Sequence, residues 1–260
     1  PNPYAPLPRL NIYTYDLGKL LPNYADEDLA FNFHEFFRVN ADGQFIHKKD
    51  VLSFLNLISK KDDESNYPYS TDEYRNNFRH SLWMVPGVKE ARALSAMLKK
   101  HPVFSQFTIV NVAGEGDEEE ANEDALKKVQ NAIGKHPEET YTITLSCGRL
   151  TMGVSVPAWT AVFMLAGSYN TSAASYMQTI FRVQTPAEIN GRVKEECFVF
   201  DFAPDRTLRV IAETAKISAK AGKTTSSDRE TMGEFINFCP IIAIDGSHMK
   251  PYNVNGMLEQ

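Results

Sequence analysis

Short apolar segments alternate with amphipathic helical patterns through the middle of this 260-residue chain. Each helical pattern places apolar residues three or four positions apart, and the segments between them are short, apolar and strand-like. A strand followed by a helix and then a second strand forms a parallel βαβ unit. The order therefore predicts an α/β domain with a parallel sheet flanked by helices. The predicted strands cover residues 81–85, 107–112, 141–147, 161–165 and 196–202, and the predicted helices cover residues 88–100, 122–133 and 172–184.

The first 80 residues follow a different pattern. Four prolines among the first eight residues predict a linker through Leu17, because proline fixes its backbone angle and has no N–H to donate. Since the chain begins at Pro1, we expect it to be a fragment of a longer protein. Beyond the linker, Asp26 can cap a helix that reaches Phe37, and residues 49–60 predict a second helix.

Two further features define the predicted organisation. Ser70 and Glu73 have the spacing of a capping box, which predicts that a third short helix begins there. Residues 205–218 and 228–238 also have helical patterns. Three regions follow: a mainly helical connection at residues 1–80, the α/β domain at 81–205, and the start of a helical region at 206–260.

The net charge of −6 is unevenly distributed. Residues 115–124 hold seven acids and no base, which predicts a solvated and disordered loop, and the rest of the chain has a net charge of +1. Residues 206–229 carry a local charge of +4. The total therefore does not exclude a nucleic-acid partner.

Cysteine content and hydropathy limit the environment of the chain. The three cysteines are widely spaced, which favours reduced thiols and a cytoplasmic protein. The longest apolar stretch, at residues 161–166, is shorter than the ~20 residues of a membrane span, so we expect no membrane partner.

Several short motifs fit their usual chemistry poorly. Gly222-Lys223-Thr224 resembles the end of a phosphate-binding loop, but the position that needs the earlier glycine is Ile217. Gly114 and Gly116 follow a predicted strand without the third glycine of a dinucleotide site. We therefore give little weight to a free-standing methyltransferase or nuclease.

Two neighbouring segments carry the functional prediction. The first, residues 146–157, reads SCGRLTMGVSVP and runs directly off a predicted strand. The second, residues 175–185, reads SYMQTIFRVQT and lies on the following predicted helix. Gln178 and Arg182 are four residues apart, so a helix presents their amide and guanidinium groups on one face. Such a pair suits the phosphate or ribose of a nucleotide.

These segments resemble motifs V and VI of superfamily 2 helicases and translocases, which lie in the second RecA-like lobe. The segment LWMVPG at residues 82–87 is similar to motif IV, and DFAPDR at 201–206 is similar to the end of that lobe. The wording of both motifs looks closest to the motor subunits of bacterial restriction–modification enzymes. The resemblance covers residues 81–205 and implies a RecA-like sheet of the P-loop NTPase type.

The resemblance also implies roles for individual residues. Gln178 and Arg182 would contact ATP together with Gly153 and Ser155, and Arg182 would act in catalysis. The DNA backbone would contact a second set of residues, which comprises Pro86, Gly87, Cys147, Arg149 and Thr151. Outside this resemblance, Arg149 fits a surface ion pair, Thr151 fits a helix cap, and Trp159 fits the core better than a base-stacking position.

The resemblance further implies cofactors and partners. ATP with Mg²⁺ would be bound mainly by a first RecA-like lobe, and methyltransferase or specificity modules are further expected partners. The chain alone should not hydrolyse ATP, because it has no Walker lysine.

Two positions depart from the motifs. The second arginine of motif VI is replaced by Thr185, and the acid that often follows in motif V is replaced by Ser155. These departures favour an alternative hypothesis, a non-catalytic RecA-like interaction module that has lost nucleotide hydrolysis.

Overall fold

A single mixed sheet of eight strands organises the chain in the computed structural model. The structure describes residues 7–15, 17, 21–24, 31–60, 67–114, 119–147, 156–167, 173–203, 241–245 and 248–251. The strand order is β10-β9-β1-β8-β5-β2-β4-β3, and β6 and β7 form a separate hairpin. The strands are β1 Arg9–Tyr15, β2 His80–Met84, β3 Thr108–Asn111, β4 Thr142–Ser146, β5 Ala161–Met164, β6 Glu188–Ile189, β7 Arg192–Val193, β8 Glu196–Asp201, β9 Ile241–Asp245 and β10 His248–Pro251.

Seven neighbouring strands of this sheet run parallel, and β10 alone pairs antiparallel, with β9. Strand β2 lies between β4 and β5, with Met84 in register with both Ser146 and Met164. The carboxyl ends of these three strands therefore meet at one edge of the sheet, which we call the carboxyl edge. The opposite edge is the amino edge.

Helices cover both faces of the sheet. They are α1 Phe33–Phe36, α2 Lys48–Ser59, α3 Asp72–Asn77, α4 Val88–Lys100, α5 Glu119–Ile133 and α6 Ala173–Ile180. One hydrophobic cluster joins one face of the sheet to α1, α2 and α4. A second cluster joins the other face to α5 and α6. The prediction of a parallel α/β sheet flanked by helices, of the RecA-like type, is confirmed.

Aromatic residues dominate the first of these clusters. The Phe163 ring lies 4.9 Å from that of Trp83 and 4.8 Å from that of Phe200, between ring centroids. The buried polar atom of Trp83 is satisfied, because its Nε1 donates to Ser81 Oγ at 3.1 Å. This face of the sheet thus buries large side chains without leaving that indole N–H unpaired.

The linker predicted through Leu17 is wrong for residues 9–15, which form β1. The prolines end at Pro8, and the following RLNIYTY is a β-rich run whose Leu10 and Ile12 are buried. β1 lies between β8 and β9, so the sheet draws on residues from both sides of the predicted boundary at residue 80. β9 and β10 are strands within residues 206–260, which were predicted to begin a helical region, and they lie beyond the two individual helices predicted there.

The structure differs from the prediction at three helix ends: the start of α3, the start of α5 and the end of α6. Helix α3 is capped by Thr71, whose side chain accepts from the Tyr74 N–H at 3.1 Å, whereas Ser70 Oγ donates to the carbonyl of Tyr67. The acidic run continues into a helix, because α5 begins at Glu119. Carboxylates are favourable in the first turn of a helix, where they meet the positive end of its dipole.

The third difference is at α6, which ends at Ile180 instead of continuing to Gln184. Asp26 and the predicted helices at 205–218 and 228–238 lie outside the described residues. Among the helices of the described part of the chain, none is both long enough and apolar enough to cross a bilayer.

Two phenylalanines test the role of the aromatic cluster. Phe163 is fully buried, whereas Phe181 is 49% exposed. We expect Phe163→Ala to lower the free energy of unfolding by about 3–5 kcal/mol, because it leaves a cavity in a packed core. Phe181→Ala, the matched control, should cost less than about 1 kcal/mol. Urea denaturation measures both values, and equal losses would contradict this packing.

Candidate functional site

The predicted motif IV turn and the start of motif V meet at the carboxyl edge. The Val85 N–H donates to the Ser146 carbonyl at 2.9 Å, and the Leu165 N–H donates to the Met84 carbonyl at 2.9 Å. These bonds extend the sheet one residue beyond β2. Pro86 and Cys147 therefore follow adjacent strand ends, and both are partly exposed.

Gly87 is the N-cap residue of helix α4, and the side chain of Glu90 lies against it. A Cβ built on Gly87 would lie 2.4 Å from Oε2 of Glu90. The Glu90 carboxylate thus covers the helix N-terminus, where backbone N–H groups would otherwise face an anion. Any phosphate approaching Gly87 would meet this negative charge.

Four predicted contact residues cannot be placed. Arg149, Thr151, Gly153 and Ser155 lie outside the described residues. The described chain stops at Cys147, beyond the carboxyl end of β4, and resumes at Val156, which leads into β5.

Gln178 and Arg182 lie on and just after α6, which packs on the opposite face of the sheet from α4. The buried side of this helix carries Tyr176, Met177 and Ile180, while the Gln178 side chain is exposed. Three bonds from residues 182, 183 and 184 to the carbonyls three residues earlier close the end of α6. This tighter turn replaces the regular helix that was predicted to place Gln178 and Arg182 on one face.

The Arg182 side chain is half-buried in this turn. Burial lowers the pKa of Arg182, and a guanidinium is nevertheless protonated throughout the physiological pH range. A partly desolvated cation interacts more strongly with an approaching anion than a fully hydrated one. Thr185, which stands where motif VI has a second arginine, donates its hydroxyl to the Arg182 carbonyl at 3.2 Å.

A buried hydrogen bond ties α6 to the end of β8. The Tyr176 hydroxyl donates to Asp201 Oδ2 at 2.7 Å, and the Ala203 N–H donates to Asp201 Oδ1 at 2.8 Å. Both Tyr176 and Asp201 are at most 1% exposed. A buried carboxylate requires such donors, so this bond helps to fix α6 against the sheet.

The far end of the same segment is tied to the start of β1. Buried Gln184 donates from Nε2 to the Pro8 carbonyl at 3.1 Å. Gln178 and Arg182 therefore lie between two buried anchors. No sequence pattern indicates these anchors, because buried polar contacts between distant segments leave no periodic signal. Glu90 was detectable, since an acid three residues after an N-cap glycine is a helix-start signal.

Two other expectations can be compared with the structure. Trp159 is fully buried, which agrees with the core assignment over the base-stacking one. Among the residues that the structure describes, no three His, Cys, Asp or Glu side chains lie close enough to hold a metal ion. The described residues thus include the exposed amide of Gln178 and the half-buried guanidinium of Arg182 but no such cluster of metal ligands.

We expect Tyr176→Phe to lower the free energy of unfolding by about 1–3 kcal/mol, because it removes a donor from a buried carboxylate. Tyr141→Phe is the control: its hydroxyl donates to Asn76 Oδ1 at 2.7 Å in an exposed position. That change should cost less than about 1 kcal/mol. Urea denaturation of both variants provides the comparison, and an unchanged stability for Tyr176→Phe would remove this anchor.

This chain is similar in sequence to a curated protein and in fold to a solved structure. No protein-family model matches it. The chain is 28% identical over 276 aligned positions to the putative type II restriction enzyme and methyltransferase RM.MpnORF110P C-terminus of Mycoplasma pneumoniae. That alignment covers 95% of this chain and 37% of the relative.

The similar structure is the ATP-dependent Type ISP restriction-modification enzyme LlaBIII bound to DNA. It superimposes with a TM-score of 0.50 and 14% sequence identity, covering 94% of this chain and 16% of that enzyme's chain. The present chain thus spans well under half the length of either protein. It is homologous to a restriction enzyme and methyltransferase C-terminus, and it shares its fold with part of a Type ISP restriction–modification enzyme.

Proposed function

We propose that this chain is the second motor lobe of an ATP-dependent superfamily 2 DNA helicase or translocase that belongs to a restriction–modification enzyme. The observation that carries the proposal is the meeting of the motif IV turn and the start of motif V at adjacent parallel strand ends. The similarity to a restriction enzyme sequence and to the fold of a DNA-bound, ATP-dependent enzyme supports it.

In this proposal the carboxyl edge contacts the DNA backbone. Pro86, Gly87 and Cys147 lie together there, and Arg149 and Thr151 follow Cys147 directly in the sequence. Backbone amides and hydroxyls can contact phosphates without reading the base sequence. Movement of this lobe would then shift those contacts along the duplex.

ATP would bind between the α6 surface and a first RecA-like lobe. Gln178 would contact the nucleotide, and Arg182 would stabilise the negative charge that develops on the transferred phosphoryl group. Gly153 and Ser155 would approach the nucleotide from the motif V loop. The first lobe would hold Mg²⁺ and the Walker lysine, and methyltransferase or specificity modules would direct the motor to its DNA.

An interaction module without hydrolysis is the second candidate. The observation in its favour is Thr185, which occupies the position of the second motif VI arginine and bonds to the backbone of its own turn. A hydroxyl cannot supply the positive charge of an arginine. The motor hypothesis requires that Arg182 alone provides that charge.

Arg182→Ala in the full-length protein tests this point. We expect DNA-stimulated ATPase activity to fall by roughly 10³-fold, because the variant loses the transition-state cation. DNA affinity should remain near that of the wild type, since Arg182 follows α6, which packs on the opposite face of the sheet from α4. Arg92→Ala, an exposed position on α4, is the matched control and should retain full activity.

Two outcomes would contradict the motor proposal. Unchanged turnover in Arg182→Ala would remove that residue from the site. Substantial Mg²⁺-dependent ATPase activity of this 260-residue chain alone would contradict the assignment of the Walker residues to another lobe.

The DNA contact at Gly87 is tested by Glu90→Gln. We expect the DNA affinity of the full-length protein to increase roughly fivefold, because the variant removes a negative charge at a helix N-terminus. The effect of such a charge on the binding free energy is about 1 kcal/mol. Glu73→Gln, in the first turn of α3, is the control and should leave affinity unchanged. Fluorescence anisotropy with a duplex oligonucleotide measures both, and unchanged or weaker binding by Glu90→Gln would separate α4 from the DNA path.

A further inference from the structure

Lys194 is a buried cation that the sequence does not single out. It lies two residues before β8 and is 9% exposed. Its Nζ donates to the carbonyl of Pro157 at 3.1 Å and to that of Trp159 at 2.6 Å. Lysine is almost never buried to this extent unless its ammonium group has partners.

The two carbonyls belong to residues 156–160, which lead from the end of the predicted motif V segment to β5. The end of this segment is fixed independently, because the Thr160 N–H donates to the His80 carbonyl at 3.0 Å and its Oγ1 donates to the Asn77 carbonyl at 2.8 Å. Earlier in this segment, the Trp159 N–H donates to the Val156 carbonyl and closes a local turn. Lys194 is thus the described side chain that joins this turn to the start of β8.

Carbonyl dipoles hold this ammonium without an ion pair among the described residues. Burial lowers the pKa of Lys194 to about 8, which means that desolvation outweighs the favourable contacts of the charged form. Cys197 on β8 also acts on it, and burial raises the pKa of that thiol to about 12. Glu188, Arg192, Glu195 and Glu196 surround it in sequence with exposed side chains, and residues 156–160 contain no titratable group.

We propose that Lys194 is a positioning residue: its clamp on the Pro157 and Trp159 carbonyls holds residues 157–159, at the end of the predicted motif V segment, against the start of β8. The proposal rests on the proposed motor function for its catalytic consequence, but the clamp itself does not. Lys194 touches neither DNA nor ATP in this scheme. It acts through residues 156–160, which follow Gly153 and Ser155 in the sequence.

The cost of this arrangement is the reason to assign it more than a packing role. Desolvation of an ammonium is unfavourable, and a methionine of similar volume would avoid that penalty but could not bond to the two carbonyls. Small misplacements of a catalytic segment, in contrast, reduce rates strongly. The charge-assisted pair of bonds from Lys194 gives residues 157–159 a defined position relative to β8.

The clamp is tested first by tryptophan fluorescence of the protein as a function of pH. The ammonium bonds directly to the Trp159 carbonyl, so loss of its proton should change the emission of the indole with a midpoint near pH 8. Lys194→Met should abolish this transition. Lys99→Met, an exposed position on α4, is the matched control and should preserve it. Absence of the transition in the wild type, or its persistence in Lys194→Met, would overturn the clamp.

The catalytic consequence is tested by steady-state ATPase kinetics of the full-length protein with saturating DNA. We expect Lys194→Met to lower kcat about tenfold with little change in the KM for ATP. Lys194→Gln, whose amide can still donate to one carbonyl, should give an intermediate kcat and covers the case in which Lys194→Met does not fold. Wild-type turnover in both variants would overturn the positioning role while leaving the motor function intact. A wild-type protein without DNA-stimulated ATPase activity would instead contradict the proposed function.

Discussion

Parallel pairing of β2 with both β4 and β5 is the constraint on which the rest of the structure depends. It puts Met84 in register with Ser146 and Met164, and it brings the ends of three strands to one edge. Because a parallel sheet needs a crossover between successive strands, helices must cover both faces. The turn at Pro86 and Gly87 and the chain leaving β4 at Cys147 are neighbours for this reason.

Buried polar contacts then determine where the remaining groups lie. The Tyr176–Asp201 bond fixes one part of α6, the Gln184–Pro8 bond fixes the turn beyond it, and the Lys194 contacts fix residues 157–159, which lead into β5. Each joins segments that are far apart in the sequence or separated by a loop. In the proposed motor, these contacts hold the nucleotide-facing and DNA-facing elements on the same sheet.

The sequence predicted what local periodicity encodes. Helix α4 spans Val88–Lys100 as predicted, and the five predicted strands after residue 80 are present, because alternating apolar segments specify a two-sided sheet. Strand β1 was not predicted, because the prolines directly before it favour a linker. The early end of α6 and the lysine at position 194 were missed because a tight turn and a buried cation are set by tertiary contacts. The roles of Arg149, Thr151, Gly153 and Ser155 stay predictions.

In the proposed motor, the surface formed by α6 and its following turn would face ATP. Photocrosslinking of the full-length protein with a photoreactive ATP analogue and Mg²⁺, followed by peptide mapping, tests it most directly. We expect label within residues 175–185, around Gln178 and Arg182, and we expect unlabelled ATP to compete it away. Specific labelling of the nucleotide-binding lobe with none in residues 175–185 would contradict the claim and favour an interaction module.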